Sequence, residues 1–293
     1  MNIKVFNKEI EVTTKNCKFF GEESKSEPRI NLYVVTKNCN ANCQFCTYKN
    51  YANNWNGKKY KEILQNLSDK IRINKIGVSG GEPTLNWDNF LEITDISKEI
   101  SPKSELSLNT NGFNLNKLFN EEVYKKYDYI NLSRHHYSDS INNEIFRCES
   151  TKSEELKEFA KKQTHPHHLQ FRCNLINGFI DNKEEIFKFI DWSNSIGVYY
   201  IGLISLMPVN DYCKDNFIKL RIDELKNSNF FLTKKFEFCK GGCECFNWIY
   251  IPENFKVPVH VYHKNTFKPE LQTQILTYDG EFLRSGFGGE III

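Results

Sequence analysis

The 293-residue sequence has no apolar run of about 18 residues, so it contains no segment that would cross a bilayer as a helix. It has no charge imbalance: 39 basic and 37 acidic residues leave +2, which gives no electrostatic case for nucleic acid or an anionic membrane. The start, Met1-Asn2-Ile3-Lys4-Val5, lacks the long apolar core of a secretory signal. Internal repeats and low-complexity tracts are missing as well. Cysteine, by contrast, is plentiful. Ten cysteines in a chain without an exported start point to the reducing cytoplasm and to metal binding, not disulfides.

Three of the ten lie within eight residues, Cys39-Asn40-Ala41-Asn42-Cys43-Gln44-Phe45-Cys46. The segment Ile30 to Thr36 just before them reads as a β-strand, so the cysteines occupy a loop at a strand end. Thiolate is a soft ligand suited to zinc or to iron–sulfur clusters. A structural zinc needs four ligands, and no fourth Cys or His is close by. A cubane cluster usually takes one cysteine per iron, so three would leave one iron open.

From Ile30 onward, strand and helix patterns alternate through six units, the arrangement of parallel βα repeats. Trp87 to Ile100, capped by Asn86, and a helix opening at an Asp181/Glu184 capping box and closing at Gly197 are the best-marked helices. Six units are two short of a full barrel. Right-handed crossovers curl them into an open, partial (β/α)6 TIM-like barrel. The expected division is an N-terminal hairpin and lead-in (1–29), the barrel (30–210) and a small Cys-rich, β-containing extension (211–293). The extension is expected to carry two hairpins, Val257 to His263 and Gln274 to Leu283, the latter turning at Asp279-Gly280.

The three-cysteine spacing, with an aromatic before its last member, resembles the cluster loop of the radical S-adenosylmethionine (SAM) superfamily. Ser79-Gly80-Gly81-Glu82-Pro83, which follows the second strand, looks like that family's Gly-Gly-Glu element. The resemblance implies a [4Fe-4S] cluster on Cys39, Cys43 and Cys46, with SAM chelated at the open iron. It implies that Phe45 lies near the adenine and that Gly80, Gly81 and Glu82 hold the SAM amino group. Asn109 and Asn111 fall near SAM or substrate, Ser133 and Asn174 near the ribose or carboxylate, and Leu206-Met207 along the adenine. Arg134 is expected to face the SAM carboxylate or a substrate anion. His135 and His136 are adjacent, so in an extended segment at most one faces the site. Parallel barrels place such groups at the carboxyl ends of their strands, where all of these fall.

A second cysteine group, Cys239-Lys240-Gly241-Gly242-Cys243-Glu244-Cys245, has a different spacing. It looks like an auxiliary iron–sulfur site, with Cys213 as a fourth ligand and zinc as the rival occupant. The tail is shorter than the seven-cysteine extension of peptide-maturing relatives. It also lacks the cysteine spacing of the molybdenum-cofactor cyclase, which therefore fits poorly. Cys17, Cys148 and Cys173 have no partner pattern and read as small hydrophobes. The expected activity is an oxygen-sensitive radical SAM reaction on a small molecule, driven by a one-electron donor such as flavodoxin or ferredoxin. The alternatives are a peptide maturase that forms C–S or C–C bonds and, from another class, a zinc-stabilised binding module.

Overall fold

Strand residues here alternate between apolar and polar, and that alternation separates the two faces of the sheet. The computed structural model describes residues 2–12, 29–46, 54–218, 231–235, 248–252, 260–264, 273–280 and 282–285. The barrel strands are β3 (Arg29–Thr36), β4 (Arg72–Gly80), β5 (Glu105–Thr110), β6 (Tyr129–Ser133), β7 (Leu169–Leu175) and β8 (Tyr200–Ser205). They pair in chain order and all run parallel. On one face Leu32, Val34, Ile76, Val78, Leu106, Leu108, Leu132, Phe171 and Leu203 are buried. The other face presents Tyr33, Lys75, Asn109, Asn131, Ser133, Arg172 and Asn174 to a central cleft.

Helices cover the apolar face. They are α1 (Gly57–Ser68), α2 (Trp87–Ile100), α3 (Leu115–Asn120), α4 (Asp139–Phe146), α5 (Ser153–Lys161) and α6 (Lys183–Ile196), with α7 (Asp211–Asp215) following β8. Helix α1 buries Tyr60, Ile63, Leu64 and Leu67 at i, i+3, i+4 and i+7. Each fully buried side chain of this kind stabilises the fold by about 1.5–3 kcal/mol. Asn86 caps α2 by accepting from the Asn89 amide, as its position foretold.

Several details depart from expectation. The cap of α6 is Asn182, which accepts from the Glu185 amide; Asp181 instead accepts from the Gly178 amide. The helix that the sequence pattern extends from Leu115 to about Lys126 stops, as α3, at Asn120, because Glu122 adopts a left-handed φ of 57° before a short 3₁₀ turn. Helix α4 has no counterpart in the sequence reading. The strands beyond residue 210 do not stand apart. β12 (Thr273–Tyr278) pairs in parallel with β3, and β11 (His260–Lys264) pairs in parallel with β8. Of the hairpin expected at 257–263, the described residues 260–263 belong to the single strand β11. β11 pairs antiparallel with β10 (Trp248–Pro252), which pairs with β9 (Phe231–Lys235).

The other tail hairpin is present: β12 turns into β13 (Phe282–Ser285) at Asp279-Gly280. Both turn residues have positive φ, 48° and 73°, the signature of a type I′ turn. At the amino end, β1 (Asn2–Val5) and β2 (Lys8–Glu11) form the expected hairpin, whose Ile3, Val5 and Ile10 join the main core.

Candidate active site

The first cysteine loop leaves β3 and crosses the carboxyl end of the sheet. Its backbone is fixed at both sides. Gly81 donates to the Thr36 carbonyl at 2.8 Å and Glu82 to the Asn38 carbonyl at 2.7 Å. The Asn42 amide donates to the Phe146 carbonyl at 2.9 Å, so α4 anchors the loop from across the cleft. Asp279, from the tail hairpin, accepts from the Lys37 amide at 3.1 Å.

The glycine pair is required by this crossing. Gly80 has φ 121°, and a Cβ there would lie 2.2 Å from the Thr36 carbonyl oxygen. A Cβ on Gly81 would lie 2.3 Å from the Asn38 carbonyl oxygen. Cys39, Cys43, Cys46, Phe45, Gly80, Gly81, Asn109, Asn111, Ser133, His135, Asn174, Leu206 and Met207 all line one cleft of about 500 Å³. That gathers thirteen of the residues singled out in the sequence.

The donor set suits an iron–sulfur cluster. Burial, then the charge of neighbouring cysteines, pushes the Cys43 thiol up to about 12. Burial likewise raises Cys39 to about 11, opposed by a bond from the Ala41 amide. Thiols this reluctant to ionise together become thiolates when a cation shares the loop. A cubane takes each sulfur at a separate iron, so three cysteines in one loop would leave one iron open. The Ala41 amide and Asn111 Nδ2 approach Cys39 Sγ at 3.4 and 3.7 Å, N–H···S contacts of the kind that tune cluster potentials.

Glu82 does not line the cleft. It is 1% exposed, and its carboxylate accepts from the Thr84 amide and hydroxyl, the Thr110 hydroxyl and the Asn111 amide at 2.6–3.0 Å. It ties the β4 turn to the β5 turn, leaving the backbone of Gly80-Gly81 as the part offered to a ligand. Burial pushes its pKa up, against those four donors.

Arg134 is also redirected. Its buried guanidinium donates to the carbonyls of His136, Thr151 and Tyr137 and to Asp139 Oδ1, and lies 4.9 Å from the Trp192 ring. With its donors spent on closing the loop after β6, it cannot reach a carboxylate in the cleft. Arg134→Ala is expected to destabilise the fold by about 3 kcal/mol in urea unfolding, because three carbonyls and Asp139 lose their partner. Iron content of the folded fraction should not change.

His136 points away from the cleft, accepting from the Ser138 amide and lying 4.0 Å from Glu185 on α6. His135 is the one that faces it. Its ring meets Phe45 edge-on at 5.1 Å and Phe146 at 5.0 Å, and its Nδ1 accepts from the Asn174 amide at 3.0 Å.

Cys213 is buried under the first loop, among Ile145, Ile176 and Leu206, and donates to the Phe45 carbonyl. Its thiol is thus directed at the first site. Cys239, Cys243 and Cys245 lie outside the described residues. Cys148, which follows α4, accepts from Asn40 Nδ2 at 3.7 Å and raises the pKa of both Cys39 and Cys43. Nothing in its spacing, about a hundred residues past the loop, could have announced this.

Comparison with known proteins agrees with the geometry. The family profile described as Radical SAM superfamily matches residues 33–193. This is more than half of the chain, which belongs to that superfamily and is an enzyme of the radical SAM class. The family implies a [4Fe-4S] cluster and SAM. The chain is similar to the probable GTP 3′,8-cyclase of Saccharolobus solfataricus, 32% identical over 184 residues, 60% of this chain and 56% of the relative. It is also similar to the protein of that name from Pyrococcus abyssi, 34% identical over 110 residues, 36% of this chain and 35% of the relative. It thus spans about half the length, or less, of the curated relatives it matches. The tail cysteines, on which the expected poor fit to the molybdenum-cofactor cyclase rested, lie outside the described residues.

Among solved structures, Streptococcus suis SuiB aligns with a TM-score of 0.52 at 19% identity, over 68% of this chain and 44% of that one. The anSMEcpe structure with bound AdoMet aligns at 0.50 and 17%, over 61% and 52%. At such identities the likeness speaks for the fold alone. No helix among the described residues is long and apolar enough to cross a membrane.

Proposed function

We propose that Cys39, Cys43 and Cys46 hold a [4Fe-4S] cluster with an open iron, that SAM occupies the adjoining cleft, and that the enzyme abstracts hydrogen from a small molecule in a tailoring or rearrangement reaction. One observation carries this reading: the cysteine loop and the Gly80-Gly81 turn are hydrogen-bonded to each other at the carboxyl end of a parallel sheet and line one cleft. The relatives named GTP 3′,8-cyclase favour a small-molecule substrate over a peptide. Flavodoxin or ferredoxin in the cytoplasm would supply the electron.

When bound, the cluster and SAM supply a 5′-deoxyadenosyl radical through one-electron cleavage of the sulfonium. The protein holds, orients and shields. Gly80 and Gly81 leave backbone free at the cleft for the SAM amino group, and Glu82 fixes their turn from beneath. Asn109, Ser133 and Asn174 offer polar groups to the ribose and carboxylate. Phe45, Leu206 and Met207 give an apolar wall for the adenine.

His135 holds a proton in a fixed place. Because Nδ1 accepts from the Asn174 amide, a neutral ring carries its hydrogen on Nε2. Burial, with Arg134 adding to it, pushes the imidazole pKa down to about 3, so the ring is neutral throughout the working range. His135→Ala is expected to lower kcat/KM by about tenfold, one hydrogen bond's worth, with iron content unchanged. The wild-type pH profile should show no limb near 6.5 that this substitution removes; such a limb would contradict the assignment.

We assign the extension an auxiliary cluster on Cys239, Cys243 and Cys245, and read residues 29 and 210 as the bounds of the barrel portion, not as breaks between separate domains. Cys213, buried beneath the first loop, is kept as the candidate fourth ligand of that site. The decisive experiment is anaerobic reconstitution followed by dithionite and SAM. Formation of 5′-deoxyadenosine and methionine by a brown protein is expected. A colourless zinc protein that leaves SAM intact would overturn the proposal.

A further inference from the structure

Strand β6 sends Ile130 and Leu132 into the apolar core and the residue between them, Asn131, toward the cleft. Asn131 is 4% exposed. Its Nδ2 donates at 2.8 Å to Oδ1 of Asn109, its paired residue on β5. That bond fixes the amide plane, and with it the direction of Asn131 Oδ1. On the other side, β7 sets Gln170 opposite Asn131. Gln170 Nε2 donates to the His167 carbonyl at 2.8 Å, and its Oε1 accepts from Arg172 at 2.7 Å. Gln170 thus turns its amide to those partners and not to Asn131. Among the described residues, Asn131 Oδ1 has no hydrogen-bond partner.

A buried acceptor left unmet weakens a fold, so it persists where function requires it. Ser133, two residues further along β6, lies at the level assigned to the SAM ribose. Asn131 lies roughly 7 Å deeper, on the substrate's side of the cofactor. We propose that Asn131 Oδ1 is a specificity-determining contact that accepts a hydrogen bond from an uncharged N–H of the substrate, in an amide or lactam group. The chemistry of the position narrows the class. A carboxylate or phosphate brings no hydrogen to this oxygen. A hydroxyl brings lone pairs of its own, while Asn131 Nδ2 is directed at Asn109 and Gln170 Nε2 at His167. An ammonium calls for a carboxylate, and no Asp or Glu is among the described residues lining the cleft. An amide N–H asks for one acceptor and nothing more.

The inference rests on the proposed cofactor site, and its test keeps the two separable. The anaerobically reconstituted holoenzyme, loaded with SAM, is dialysed to equilibrium against two pairs of ring compounds that exchange N–H for O at one position. The pairs are 2-piperidinone with δ-valerolactone and 2-quinolone with coumarin. Iron and bound SAM are measured on the same samples. The lactam of at least one pair is expected to bind about 10- to 100-fold more tightly than its lactone. Asn131→Leu should erase that preference, and Asn131→Asp, which keeps an acceptor, should retain most of it. Both variants should hold iron and SAM as the wild type does. Thermal melts identify a leucine variant that does not fold, and Asn131→Ala then carries the comparison. If iron and SAM are held but neither lactam is preferred, or if the preference survives the loss of the amide, the inference is overturned while the cofactor site stands. It also falls if Asn131→Leu loses SAM affinity, because the acceptor then serves the cofactor. Tighter binding of 2-naphthol than of 2-quinolone, dependent on Asn131, would assign an O–H donor and refute the N–H reading. A wild type without iron or SAM would instead refute the cofactor site.

Discussion

Cys43→Ser is expected to remove about four irons per chain and all measurable 5′-deoxyadenosine formation. Serine keeps the volume but replaces a soft thiolate with a hard hydroxyl that does not ionise near neutral pH. Cys43 is the most buried of the three. The comparison that gives the result meaning is with two nearby sulfurs. Cys148→Ser and Cys213→Ser should leave the first cluster in place, since one accepts from Asn40 and the other donates to Phe45. Alanine at Cys239, Cys243 and Cys245 together should remove only the iron of the second site. If that triple variant retains the full iron count, the auxiliary cluster does not exist.

The second large effect is expected at a glycine. Gly81→Ala would set a methyl 2.3 Å from the Asn38 carbonyl oxygen and 2.8 Å from that of Lys37. Both obstacles are main chain, so no rotamer change relieves them. The loop must lift from the β4 turn, breaking the 2.7 Å bond from Glu82 to Asn38. A loss of about 3 kcal/mol and of most cluster binding should follow. Gly178→Ala calibrates the claim. Gly178 also has a positive φ, 84°, but nothing lies within 4 Å of the added carbon. Only backbone strain remains there, about 1 kcal/mol. Equal melting-temperature shifts for the two variants would show that close approach is not what Gly81 is for.

Much of this was legible in the sequence because local signals and global fold agree. The six barrel strands are short runs with period-two alternation, and a parallel sheet sends their carboxyl ends to one side whatever the loops do. The cysteine spacing and the Gly-Gly turn therefore fell together. What escaped reading depends on side-chain direction. Arg134 and Glu82 sit at strand ends like true ligands, yet burial and local carbonyls or amides claim them first. His135 and His136 could be told apart only once β6 had a register. The tail strands joined the barrel sheet because both exposed edges of a six-stranded sheet attract partners, a long-range preference that no local pattern encodes.

The brace from Asp279 to the cysteine loop spans 242 residues of chain. Synthesis runs from the amino end at about 5–20 residues per second. The three thiols therefore leave the ribosome roughly 10–50 s before the turn that pins their loop has been made. The loop is therefore expected to gain this hydrogen bond only after Asp279 has been made, so the cysteines reach their fully braced arrangement late in the life of the nascent chain.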